Sequence, residues 1–261
     1  MSARQRAALD ELVRLHANNP EKIALIICGS LATGKARESS DADVYLVVSE
    51  PEFERTRASG GCFYGSWDPD EFSGVEIDGK IVSKRFLKEA AERGSEPTRA
   101  SFEGAYVEFS KDPEIDGLIE RIAAYPESER EAKIKAFYTY VKHYRYVGEQ
   151  AFELGNEYFA RRSVLELVFF AARLALAHNH VLFPCHKSLF AALERCDDLP
   201  PEFVSSSRRL LAQPSAAAAI DYYEKVSNHF SRYDFPDQER ISLILENEWS
   251  WFSGFPSPGE L

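Results

Sequence analysis

The chain has 261 residues, a net charge of −11, 44% hydrophobic and 13% aromatic residues, a composition that suits packed globular structure and leaves room for two domains. The acidic balance argues against a broad grip on nucleic acid, which needs clustered Lys and Arg, and no apolar stretch reaches the length of a membrane span. The first ten residues lack the apolar centre of a secretory signal. Cys28, Cys62, Cys185 and Cys196 show no metal-like spacing, so reduced thiols and a cytoplasmic location are expected.

Residues 2–18 carry Leu9, Leu12, Val13 and His16 at helical spacing. Apolar strands follow at 23–28 and 43–48, with a short helix between them. The glycine-rich stretch Ser59–Ser66 reads as a loop. Asp78-Gly79 separates two runs, 72–77 and 80–85, in the pattern of a hairpin turn. A further strand is predicted at 105–109. From about Pro126 the pattern becomes helical, with Ile134, Phe137, Tyr138 and Val141 at i, i+3, i+4 and i+7. The longest apolar helix is predicted at 157–180, and shorter ones near 187–196, 201–212, 215–231 and 237–252. The tail 255–261 is expected to be disordered. The chain is therefore sheet-rich over 1–125 and helical over 126–261, an α+β organisation in two domains.

One constellation carries chemistry. The first apolar strand ends in Gly29-Ser30, and the second opens with Asp41-Ala42-Asp43. In a strand, residues i and i+2 point to the same face. Two carboxylates on one face repel unless a cation sits between them, and Mg²⁺ takes one or two carboxylates plus phosphate oxygens. The Gly-Ser turn offers backbone N–H groups and a hydroxyl where a triphosphate would lie. The pattern describes a site for a nucleoside triphosphate on Mg²⁺, with an acceptor hydroxyl aimed at its α-phosphate.

Gly29, Ser30, Asp41 and Asp43, with Ser39-Ser40 just before the pair, resemble the signature of the DNA polymerase β-like nucleotidyltransferase superfamily: an apolar strand, Gly-Ser, a spacer of about ten residues, then Asp-x-Asp. The layout also resembles aminoglycoside- and lincosamide-type adenylyltransferases. The resemblance implies a nucleotidyltransferase domain with a mixed sheet flanked by helices over 1–125, and a C-terminal helical bundle supplying the acceptor-binding wall over 126–261. It also implies two Mg²⁺ ions, ATP as donor, and a third acid on a later strand. Glu76 and Asp78 compete for that place. Turn chemistry favours Glu76, because a turn at Asp78-Gly79 would carry Asp78 to the tip.

Glu166 lies in the middle of the apolar helix 157–180, where an unpaired buried carboxylate is expensive. It either pairs with Arg162 one turn earlier or faces the cleft as a general base or a clamp on a cationic acceptor. Lys187 near a helix start is unfavourable for the helix dipole alone and suits either a phosphate contact or simple solvation. The tyrosine-rich stretch Phe137–Tyr146 fits bundle core better than a stacking platform.

The expected activity is Mg²⁺-dependent transfer of AMP from ATP to a hydroxyl of a small molecule, with release of pyrophosphate. The acidic charge is compatible with a cationic acceptor as well as with solubility alone. The alternatives are transfer to a protein or tRNA, as in toxin–antitoxin systems, and a non-catalytic nucleotide-sensing or partner-binding module. The oligomeric state is open.

Overall fold

The structure, a computed structural model, describes residues 1–66, 68 and 71–252; the tail 255–261 lies outside them. The chain divides into two compact units, Met1–Tyr125 and Pro126–Leu261.

The first unit is built on five strands: β1 (Lys22–Ile27), β2 (Ala42–Val48), β3 (Phe63–Ser66), β4 (Ile77–Ser83) and β5 (Tyr106–Ser110), in the order β3-β4-β2-β1-β5. β1 runs antiparallel to β2 and β5, β2 is parallel to β4, and β3 is antiparallel to β4, so the sheet is mixed. Its helices are α1 (Ala3–His16), the single turn α2 (Gly29–Ala32), α3 (Glu50–Ala58), α4 (Lys84–Arg93), α5 (Glu96–Ser101) and α6 (Ile115–Ala123).

The sheet is covered on both faces. Ala42, Val44, Leu46 and Val48 join Leu9 and Leu12 of α1 in one core, while Tyr45 and Val47 join Leu87, Phe102, Ile119 and Ile122 in the other. This double burial explains why β2 reads as an unbroken apolar run.

Two expectations for this unit are corrected. Asp78-Gly79 is not a turn; β4 runs straight through it. Gly79 is there for space, since a Cβ would stand 2.5 Å from the Tyr64 carbonyl oxygen and 2.8 Å from a Val44 methyl. Part of the predicted loop 59–66 is strand β3, because pairing with β4 satisfies its backbone although none of its four residues is fully buried and one is a glycine.

The second unit is helical: α7 (Glu127–Glu153), α8 (Glu157–His178), α9 (Leu189–Leu193), α10 (Phe203–Ala212), α11 (Ala216–His229) and α12 (Asp237–Glu248). Its core is the α7–α8 seam, with Tyr138, Val141, Val164, Leu167 and Ala171, closed by Phe203, Tyr222 and Phe230. The fully buried Tyr222 hydroxyl is satisfied by Ser207 Oγ at 2.9 Å. In the tyrosine-rich stretch Tyr138 is core, whereas Tyr140 and Tyr144 stack on Phe170 at 4.7 and 5.7 Å.

Candidate active site

Antiparallel pairing brings the end of β1 to the beginning of β2: Ile27 lies opposite Val44, and the Cys28 N–H donates to the Asp43 carbonyl at 2.9 Å. The chain then turns sharply at Gly29, whose φ is +63°, into the one-turn helix α2. Only glycine adopts that conformation without strain. Space makes the same demand, because a Cβ on Gly29 would stand 1.9 Å from Asp43 Oδ2. The turn is therefore packed directly against the carboxylate of the second aspartate. Ser30 Oγ is buried there and has no hydrogen-bond partner among the described residues.

The third acid is fixed by a non-local register. β4 lies parallel beside β2 with Asp78 opposite Asp43. Carboxylate oxygens of Asp41, Asp43 and Asp78 all lie within 4.8 Å of one another, Asp41 and Asp78 exposed and Asp43 half-buried. Glu76, preferred on turn chemistry, is exposed and outside this group. It precedes β4, and its backbone carbonyl accepts from Ala42 N at 2.8 Å, which helps hold the register that presents Asp78. The turn argument fails because Asp78 is in mid-sheet.

Three neighbours complete the surroundings. Gln5 of α1, almost fully buried, forms a capping box with Ser2 and donates its side-chain amide to the carbonyls of Arg37 (2.8 Å) and Ser40 (3.2 Å). It thereby ties down the loop that delivers Asp41. The sequence signal for it was the Ser2-x-x-Gln5 capping pattern. Burial pushes the Cys28 thiol far up, Asp43 adds to this and Lys80 opposes it, so Cys28 is a neutral core residue. Lys80, two residues beyond Asp78 on β4, holds its ammonium 5.2 Å from the Tyr45 ring centroid.

Glu166 and Lys187 belong to the second unit. Glu166 is not deeply buried: its side chain is 23% exposed and its Oε1 lies 3.6 Å from Arg162 Nη2. The helix carrying it also leaves Leu165 exposed, so α8 is less enclosed than its composition predicts. Lys187 is exposed in a 3₁₀ turn, His186–Ser188, ahead of α9.

The sequence model of the nucleotidyltransferase domain family matches residues 6–123. Among solved structures the chain is similar to a nucleotidyltransferase-like protein from Exiguobacterium sibiricum, with 13% identity and a TM-score of 0.52 over 87% of this chain and 74% of that one. At that identity the likeness is one of fold. No curated protein matches.

Proposed function

Because residues 6–123 belong to the nucleotidyltransferase domain family, we propose that this protein transfers AMP from ATP to a hydroxyl of a small-molecule acceptor, with release of pyrophosphate. The observation that carries the proposal is the meeting of three carboxylates with a Gly-Ser turn that has no room for a Cβ and buries an unpartnered hydroxyl.

This donor set fits Mg²⁺, a hard cation that takes a few carboxylates and leaves positions for phosphate oxygens. Asp41, Asp43 and Asp78 would hold it. Held there, the metal would supply neutralisation of phosphate charge and orientation of the donor.

The remaining work falls to the chain. Gly29 lets the backbone approach a phosphate closely. Ser30 Oγ, which has no hydrogen-bond partner among the described residues, would donate to a phosphate oxygen. Gln5 holds the Arg37–Ser40 loop so that Asp41 stays in the group. Glu166 enters as the ion-pair partner of Arg162, not as a base. A net charge of −11 steers a cationic acceptor toward the protein and disfavours tRNA. The presence of three acids removes the missing-acid argument for a non-catalytic module.

The test is pyrophosphate release from ATP and Mg²⁺ across aminoglycosides, lincosamides, tRNA and candidate proteins. Release with a small hydroxyl acceptor, lost in Asp43→Asn, is expected. Mg²⁺-dependent ATP binding with no release from any acceptor would overturn the transferase reading in favour of a nucleotide-binding module.

A further inference from the structure

Among the described helices α7 to α12, α12 is the one that buries no residue. It is anchored at its start, where Glu239 pairs with Lys135 of α7 and Arg240 pairs with Asp234 and Asp237. Beyond that anchor Leu243 and Ile244 are half-buried. Ile241, Leu245 and Trp249 follow at i, i+4 and i+8, a second apolar stripe along the helix. Ile241 is 50% exposed and Trp249 56%, and in the turn that follows Trp251 is 63% and Phe252 80% exposed. Single exposed apolar residues need no explanation, but a run of large ones on one element marks an interaction surface.

The charge of this surface is one-sided. Residues 241–252 contain Glu246 and Glu248 and no lysine or arginine. The side chain of neither glutamate has an ion-pair or hydrogen-bond partner among the described residues. The cations around the start of α12 are already committed, Lys135 to Glu239, Lys142 to Asp234, and Arg240 to Asp234 and Asp237. Glu248 acts electrostatically on His143, whose neutral form burial favours. Two exposed carboxylates therefore border the apolar stripe without a counter-charge of their own.

Stripe and charge together select the occupant. A second copy of α12 would bring the same glutamates and no cation, and an anionic lipid surface would be repelled. A helix whose own apolar stripe is bordered by lysine or arginine matches both features at once. We infer that α12 and the turn after it form the docking surface for a basic amphipathic helix of another protein, its apolar residues against Ile241, Leu245 and Trp249 and its cations beside Glu246 and Glu248. The surface belongs to the second unit, and the inference does not rest on nucleotidyl transfer.

The probe is a fluorescein-labelled peptide of leucine and lysine, about 14 residues long with its leucines at helical spacing, titrated with the full chain and read by anisotropy. It should bind. A peptide with glutamate in place of each lysine, and one of the same composition with the leucine stripe scrambled, should each bind at least about tenfold more weakly. Glu246→Lys combined with Glu248→Lys should weaken the stripe peptide about tenfold, and Trp249→Ser should do the same. Both variants should keep the wild-type melting temperature, because all three side chains are exposed. No binding, equal binding of the scrambled peptide, or unchanged affinity in either variant would overturn the inference. A dimer in sedimentation that Trp249→Ser dissociates would overturn it in favour of a second copy, and binding to phosphatidylcholine vesicles lost in Trp249→Ser would overturn it in favour of a lipid surface.

Discussion

Gly29 and Asp43 are locked together: a Cβ on the glycine would stand 1.9 Å from Asp43 Oδ2, and the glycine backbone is left-handed at φ +63°. Gly29→Ala is therefore expected to cost at least about 1 kcal/mol from backbone conformation alone and to push the Asp43 carboxylate out of the three-acid group. Melting temperature should fall, and the thermal shift caused by Mg²⁺ and ATP should disappear. Wild-type melting together with a wild-type ligand shift would show that Asp43 needs no such packing.

Asp78 and Glu76 are separated by one substitution each. Asp78→Asn should abolish pyrophosphate release while leaving the melting temperature unchanged or slightly raised, because it removes one of three mutually repelling charges. Glu76→Gln should retain most activity, since its contribution to the site is its backbone carbonyl. The reverse pattern of activities would return the third-acid role to Glu76.

Ser30→Ala should act in opposite directions on stability and binding. In the free protein it removes a buried hydroxyl that has no partner among the described residues, so unfolding free energy should hold or rise. Affinity for Mg·ATP should weaken by about 0.5–1.5 kcal/mol, the net worth of one hydrogen bond. Calorimetric titration alongside denaturant unfolding checks both signs, and an undiminished ATP affinity would place the triphosphate elsewhere.

Glu166→Gln should be mild. The Arg162 side chain is 55% exposed at 3.6 Å, and pairs of that kind contribute roughly 0–1 kcal/mol. Turnover near wild type is expected. A strong fall in single-turnover rate at normal melting temperature would instead make Glu166 part of the reaction.

Acidification should destabilise the fold in two stages. Burial, the largest cause in each case, lowers His16, His143 and His178 from 6.5. Below pH 6.5 the unfolded chain takes up protons that these sites refuse, so stability falls as pH drops from there. Asp112, Asp198 and Asp234 lie below the ordinary 3.8 through hydrogen bonds to Lys84, His178 and Lys142. Their stabilisation is complete above that value and is lost as pH falls through their depressed values. Melting curves from pH 8 to 3 should show a plateau and then both declines, and His143→Gln should flatten the first. A melting temperature that rises between pH 7 and 5.5 would contradict the assignment.

The sequence by itself determined the elements whose causes are local. Period-two aspartates, a glycine-serine pair ending an apolar strand, and the change to helical periodicity near Pro126 follow from side-chain direction along single segments. The mixed-sheet α+β class expected from the motif matches the structure. The short helices α4 and α6 are not among the predicted elements although their buried positions, Leu87 and Ala90 in one and Ile115, Leu118, Ile119 and Ile122 in the other, stand at helical spacing. Tertiary structure alone decided which acid stands beside the pair. Glu76 and Asp78 have the same strand parity, so no local pattern separates them. The parallel register of β4 against β2 does, and the close approach of Val44 and Tyr64 to Gly79 overrides the turn propensity of Asp-Gly.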